Sequence, residues 1–367
     1  MQKQFFLKIL KYWTKYDMLS DNSMFLKTTS FMEAHFMLNN KTILITGGTG
    51  SFGHCFVDYV LAHYKPKKLI IYSRDEFKQF NMQNKYKNHT NSLRFFIGDV
   101  RDKDRLLRAL NDVDYVIHAA ALKQVPACEY NPMEAIKTNI NGACNVIEAC
   151  LDKGVKKVVA LSTDKAVSPA NLYGSTKMVS DKLFAAANSY SGADGCRFAI
   201  VRYGNVAGSR GSVIPFFQNI IDNGGTELPI TDYRMTRFWI SLEEGVKLVI
   251  KALVEANGGE TFISKIPSFK ITDLAQAMLP GCKMPEIGIR EGEKLHEVMV
   301  PAEDSSYTYE YDKHFIIYPN YTWWGTDKII PGGKKVAPGF VYSSGDNTEW
   351  LTIEDIQKLL KSDIFIH

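Results

Sequence analysis

No apolar run in the chain reaches the ~18–20 residues that a membrane-crossing helix requires, so no stable membrane insertion is expected. No long block of one charge sign occurs either. Lys and Arg total 44 against 40 Asp and Glu, mixed along the chain, for a net charge of +4. A nucleic-acid partner, which calls for a basic stripe, is therefore not expected. Cysteines are few, six in 367 residues, and none stands in C-x-x-C or Cys/His metal spacing. They read as reduced, buried thiols of a cytosolic protein with no metal site. Internal repeats and low-complexity segments are absent. What is present is an ordinary enzyme-like composition, 45% hydrophobic and 23% charged, with chain enough for a large two-lobed unit.

The N-terminus departs from this pattern. "MQKQFFLKILKYW" alternates Lys with bulky apolar residues and has two readings. One is a basic interfacial helix. The other is a loosely packed extension, residues 1–36, upstream of an ancestral start at Met37. A secretory signal is not expected, because no apolar core leads to a small-residue cleavage site.

From Lys41 the chain alternates short apolar runs with helical spacing. Strands are expected at 41–48, 67–73, 93–99, 113–121, 155–163 and 196–205, and helices at 52–64, 75–86, 102–110, 132–153 and 173–190. Nearly continuous apolar strands separated by helices indicate an α/β fold, a Rossmann-type doubly wound parallel sheet covered on both faces. After residue 205 the alternation weakens. Residues 37–205 read as the nucleotide-binding domain with the catalytic residues. Residues 206–367 read mainly as a smaller C-terminal substrate-binding lobe, with some segments returning to the first domain. Thr352 is the expected N-cap of a last helix over 352–360.

Gly47, Gly50 and Gly53 form a G-x-x-G-x-x-G turn between the first strand and the first helix. In that context the glycines allow a tight turn and a close backbone approach to a pyrophosphate, and the helix N-terminus offers free N–H groups to the anion. Thr49, Ser51 and Phe52 belong to the same cofactor-binding turn. The second strand ends "YSRDE", with no acidic residue where a ribose 2′-hydroxyl would be held. Ser73 and Arg74 stand there instead, and Arg74 can pair with a 2′-phosphate, so NADP is favoured over NAD. Asp75 comes one position late and reads as a helix cap. Asp99, with Val100 beside it, either contacts the adenine edge or simply forms a turn. Ala119, Ala120 and Ala121 put small side chains where the backbone must pass close to the cofactor.

"LSTDKAVSPANLYGSTK" (161–177) carries the chemistry. Tyr173 and Lys177, at i and i+4, share a helix face. An ammonium beside a phenol is expected to lower its pKa, making Tyr173 a base for an alcohol whose hydride leaves. A plain dehydrogenase needs no more. Thr163, Asp164 and Lys165 nevertheless end the fifth strand on the same edge. If Asp164 is kept protonated and Lys165 has a depressed pKa, the pair can eliminate water next to a newly formed ketone. The other reading of the pair is a solvent-screened turn.

With these residues in view, the chain resembles the extended short-chain dehydrogenase/reductase superfamily. More closely, it is similar to the inverting UDP-N-acetylglucosamine 4,6-dehydratases that open the pseudaminic acid pathway. The similarity runs from about Met37 and rests on "TILITGGTGSFG", "YSRDE", "FFIGDVRD", "HAAALKQVP", "LSTDKA", "NLYGSTK", "VRYGNV", "GSRGSVIPFF", "ITDYRMTRFWI" and "GIREGEKLHEVM". The resemblance implies that Tyr173 and Lys177 support oxidation at sugar carbon 4. It implies that Lys165 takes the carbon 5 proton, Asp164 protonates the leaving 6-hydroxyl, and Thr163 positions the sugar. Arg210, Arg237 and Arg290 are implied for the uridine diphosphate, each with a structural salt bridge as the alternative, and Lys123 and Asn205 for the sugar. A cytoplasmic homo-oligomer, dimer or hexamer, is also implied. Retaining relatives that act on dTDP-glucose carry Asp-Glu in place of Asp164-Lys165. A UDP-sugar 4-epimerase and a non-catalytic NADP-binding sensor are the rival readings.

Overall fold

The computed structural model describes residues 37–192, 194–206, 212–322 and 324–361; the N-terminal segment 1–36 and Arg210 therefore lie outside the described residues. Six strands follow the first six apolar runs: β1 (Thr42–Thr46), β2 (Lys68–Ser73), β3 (Leu93–Ile97), β4 (Tyr115–His118), β5 (Lys157–Thr163) and β6 (Arg197–Tyr203). Later strands are β7 (Thr236–Phe238), β8 (Thr261–Ser264), β9 (Ser268–Lys270), β10 (Val298–Val300), β11 (Thr308–Glu310), β12 (His314–Ile317), β13 (Lys334–Lys335) and β14 (Tyr342–Ser343).

The main sheet runs β3-β2-β1-β4-β5-β6-β8-β12-β11-β13. Its first seven strands are parallel, and β12, β11 and β13 continue it antiparallel. Strand order reverses at β1, which lies between β2 and β4, with Ile43 opposite Leu69 and Tyr115. In such sheets ligands bind outside the carboxyl ends of the strands at that reversal. Alternate side chains of β1 point to opposite faces. Ile43 and Ile45 join Phe56, Val60, Ile71 and Phe262 on one side, while Leu44 joins Ile70, Val146, Phe184 and Phe198 on the other. Both faces are thus covered, which is why the strands read as nearly continuous apolar runs rather than as an alternation. Each such side chain, fully buried, contributes about 1.5–3 kcal/mol.

The smaller lobe has its own core, in which Phe217, Trp239, Phe269, Leu274 and Ile356 pack together. Two short antiparallel pairs, β7 with β9 and β10 with β14, belong to the second half of the chain. Thr352 caps the last helix, Ile353–Lys361: its hydroxyl accepts from the Asp355 N–H at 3.1 Å and its own N–H donates to the Asp355 carboxylate at 3.2 Å.

One expected helix is broken. Residues 132–153 form a short helix at Pro132–Ile136, a π turn at Lys137–Asn141, and a helix at Gly142–Asp152. The π turn holds Asn139, almost fully buried, whose amide accepts from the Leu122 N–H and donates to the Leu122 carbonyl and the Thr176 hydroxyl. Such bulges occur where a side chain is re-aimed near a site. Here Asn139 ties the loop after β4 to the helix that carries Tyr173.

Candidate active site

A cavity of about 1050 Å³ opens over the carboxyl edge of β1, β2, β4, β5 and β6 and is closed on its far side by residues of the smaller lobe. That exceeds the usual volume of a site for one small ligand, roughly 300–1,000 Å³.

The half above β1 is built for a dinucleotide. Gly47 has φ +65°, and a Cβ there would lie 2.9 Å from the backbone of Ala120. Its N–H donates to the Tyr72 carbonyl at 2.8 Å. Gly50 precedes the helix Ser51–His63 and no side chain caps that helix, so its first N–H groups stay available beside the cavity. Gly53 plays a different part from the one expected. It does not line the cavity; a Cβ there would stand 2.1 Å from the Gly48 carbonyl oxygen, so this glycine lets the helix pack on its own entry turn. Thr49 and Ser73 join their hydroxyls at 2.7 Å. Phe52 stacks on Tyr203 with centroids 6.5 Å apart. Ser51, Val100, Ala119, Ala120 and Ala121 also line this half.

Arg74 stands at the mouth, half exposed, with Nη1 3.5 Å from Asp99 Oδ2. Asp99 in turn accepts from the Arg101 guanidinium at 2.7 and 2.9 Å. Burial pushes its carboxyl upward, but the hydrogen bonds and charge of Arg101, with Arg74, hold it below the usual range. Asp75 accepts from the Lys78 N–H and caps the next helix. Under the floor, the Thr46 hydroxyl oxygen accepts from the N–H groups of Ala119 and Ala120 and so gives its own proton to His118 Nδ1 at 2.9 Å. Glycine cradle, open helix end, small alanines and a basic mouth together fit a nicotinamide dinucleotide.

The other half holds the second set. Thr163 ends β5, a single turn carries Asp164 and Lys165, and the helix Leu172–Ala187 brings Tyr173 and Lys177 over it. Asn171 caps that helix by accepting from the Gly174 N–H at 2.8 Å and donates to the Gly292 carbonyl of the smaller lobe at 2.8 Å. Thr163, Lys165, Tyr173 and Lys177 line the cavity, whereas Asp164 is fully buried behind them. Asp164 Oδ1 accepts from the Thr163 hydroxyl at 2.9 Å and from Lys165 Nζ at 3.1 Å, and Oδ2 has no partner.

Protonation follows the expectation for one group and departs from it for two. Burial, then the nearby Glu297 carboxylate, raises the Asp164 pKa, in the direction an acid needs. Tyr173 is pushed up to about 12 rather than down. Burial outweighs the lowering by Lys165 and the Thr163 hydroxyl, and spacing alone carried no information about burial. Lys165 is likewise raised, not depressed: burial disfavours its charge, but Asp164 and Glu297 outweigh that. Lys177 is lowered, by burial, with Asp181 opposing.

Among the residues expected at the substrate, Lys123, Asn205, Arg237 and Arg290 line the cavity. Asn205 turns its oxygen to Lys165 Nζ at 3.0 Å. Arg290 is largely exposed at the rim. Arg237 is built into the wall: Nη1 donates to the Thr236 and Leu295 carbonyls and Nε lies 3.6 Å from Glu297. It thus lines the cavity and also makes the structural ion pair named as the alternative to a diphosphate contact. Glu297 itself was not singled out in the sequence. It shares "GIREGEKLHEVM" with Arg290, and no spacing rule links it to Lys165, 132 residues earlier.

Comparison with known proteins agrees with this architecture. Residues 43–319 match the family described as polysaccharide biosynthesis protein. The chain belongs to that family. It is 55% identical over 330 residues to a UDP-N-acetylglucosamine 4,6-dehydratase (inverting) of Campylobacter jejuni subsp. jejuni serotype O:23/36 (strain 81-176), covering 88% of this chain and 98% of that one. It is 42% identical to a UDP-glucose 4-epimerase of Rickettsia akari (strain Hartford), over 88% and 96% of the two chains. Among solved structures, that of Pen from Bacillus thuringiensis superposes with a TM-score of 0.79 at 38% identity, covering 88% of this chain and 99% of that one. The large, mainly parallel sheet of this chain is of the Rossmann type. Among the described residues no helix is long and apolar enough to cross a membrane.

Proposed function

We propose that the chain is a UDP-N-acetylglucosamine 4,6-dehydratase that inverts carbon 5, giving a UDP-4-keto-6-deoxy-L-arabino-hexose. The observation that carries the reading is the meeting, in one cavity, of the Tyr173–Lys177 pair with Lys165, backed by the buried acid Asp164 at 3.1 Å. An epimerase has use for the first pair alone. The identity to an inverting dehydratase supports the same reading.

Tyr173 receives the proton of the sugar 4-hydroxyl, with Lys177 behind it on the helix. A nicotinamide dinucleotide held by the Gly47–Gly50 turn and Arg74 would supply the hydride acceptor for carbon 4 and the donor for carbon 6, and its oxidised ring would add positive charge that favours the Tyr173 phenolate. Lys165, as the amine, takes the proton that the new ketone has made acidic at carbon 5. The 6-hydroxyl, positioned by Thr163, leaves as water with a proton from Asp164, the buried acid 2.9 Å behind the Thr163 hydroxyl on the cavity wall. A proton then returns to carbon 5 on the opposite face. Arg74 at the end of β2 supports NADP over NAD, since the 2′-phosphate needs a cation there. Arg290 and Lys123 are proposed for the diphosphate and the sugar, with Asn205 beside the base. The same reading makes the protein a cytoplasmic homo-oligomer serving pseudaminic acid synthesis.

The 42% identity to a 4-epimerase favours a second reading, a UDP-sugar 4-epimerase. Incubation with UDP-N-acetylglucosamine separates the two: a dehydratase yields a product one water lighter, an epimerase a product of unchanged mass.

A further inference from the structure

Three acceptors surround the Lys165 amine. Nζ lies 3.0 Å from Asn205 Oδ1, 3.1 Å from Asp164 Oδ1 and 3.2 Å from Glu297 Oε1. An ammonium has three N–H donors and no lone pair. The surroundings therefore suit the charged form, which can attack neither a C–H bond nor a ketone. Asp164 and Asn205 follow β5 and β6, close to Lys165 on the sheet edge. Glu297 comes from the other half of the chain, immediately before β10. It is held from behind. Its N–H donates to the Ser344 hydroxyl at 2.9 Å and its carbonyl accepts from the Ser344 N–H at 2.8 Å. Its side chain is only 3% exposed, with Arg237 Nε 3.6 Å from Oε1 and no partner on Oε2.

We propose that Glu297 is a positioning residue for the elimination: it holds Lys165 as the ammonium between turnovers and so sets the pH at which the base becomes available. The inference rests on the reading of Lys165 as the base at carbon 5. The groups that face Lys165 are Asp164 on its own turn, Tyr173 from the helix above, Arg237 from β7, and Lys294 and Glu297 from the segment before β10. Asp164 and Glu297 favour the ammonium, and Arg237 and Lys294 oppose it. The arrangement has a chemical use. A neutral amine beside a 4-keto sugar condenses to an imine with loss of water; once Lys165 has taken the carbon 5 proton, its three acceptors keep it as the ammonium, which does not.

The test uses the full chain with UDP-N-acetylglucosamine and follows water loss and deuterium entry at carbon 5 against pH. Activity that needs neutral Lys165 rises with pH through the Lys165 pKa. Glu297→Gln removes the carboxylate charge that holds the proton, so this acid limb should move down by about 1–3 pH units. Glu297→Asp keeps the charge and should hold the limb near its wild-type position. Hydride transfer on mixing should survive in both. Arg237→Gln removes an opposing cation and should move the limb up, whatever it does to KM. An unmoved limb in Glu297→Gln, or an equal loss of hydride transfer and elimination at every pH, overturns the proposal. If Glu297→Gln does not fold, the Arg237→Gln limb decides alone, and a downward or absent shift overturns it. Wild-type exchange in Lys165→Ala would instead overturn the reading of Lys165 as base.

Discussion

Gly174 offers a sharp test of how closely the catalytic turn is held. It follows Tyr173 at the point where the helix presses on the turn that carries Lys165. A Cβ added there would stand 2.1 Å from the Lys165 carbonyl oxygen and 3.1 Å from the Pro169 Cβ, whereas ordinary contact begins near 3.4 Å. Gly174→Ala must therefore part helix and turn by about 1.3 Å, the difference between 3.4 and 2.1 Å. The obstructing atom is backbone, so no side chain can swing aside. Overpacking of this kind costs about 1–3 kcal/mol. Displacement of a reacting group by about 1 Å costs on the order of 10² in rate. The expected variant melts several degrees lower and dehydrates about 100-fold more slowly. Gly245→Ala is the matched control. It sits inside the helix Leu242–Glu255, and its added methyl meets only the Tyr203 ring at 4.0 Å. Alanine there should stabilise the fold by about 0.5–1 kcal/mol and leave the rate unchanged. Thermal melts and product formation by mass, read on both variants, give the result. A Gly174→Ala enzyme with wild-type melting and rate would refute the claim that this contact fixes Lys165.

Lys165→Ala should block elimination but not oxidation, because only the second step needs a base at carbon 5. On mixing with UDP-N-acetylglucosamine it should accumulate reduced-nicotinamide absorbance while carbon 5 exchange falls by ~10²–10⁴; Tyr173→Phe should show neither signal, and full exchange in Lys165→Ala would remove its role. Arg74→Ala should weaken NADP far more than NAD in a direct binding titration, since its guanidinium stands half exposed at the cavity mouth, and equal loss for both would remove the 2′-phosphate contact.

The parts of this site that were legible in the sequence are those set by local rules. Apolar runs of β1 to β6 follow from burial on both faces, and Gly47 follows from a turn that needs positive φ against a neighbouring strand. Asp75 was readable as a cap because it lies three residues before Lys78, whose N–H it accepts. The break at Lys137–Asn141 was not, since it depends on Asn139 reaching Leu122 and Thr176 across the fold. Spacing put Tyr173 and Lys177 on one helix face but said nothing of the burial that raises the phenol. The base role of Lys165 was conditional on a depressed amine; Glu297, which helps to raise it instead, arrives from beyond the range of any sequence pattern. The same distance hid the ion pair between Arg237 and Glu297.

The central claim, oxidation followed by elimination and inversion on one set of residues, is tested most directly by turning over UDP-N-acetylglucosamine in heavy water and reading the product by mass and by NMR at carbon 5. The account predicts the loss of one water, one deuteron at carbon 5, and inverted configuration there. A product of unchanged mass, or a dehydrated product with carbon 5 retained, would contradict it.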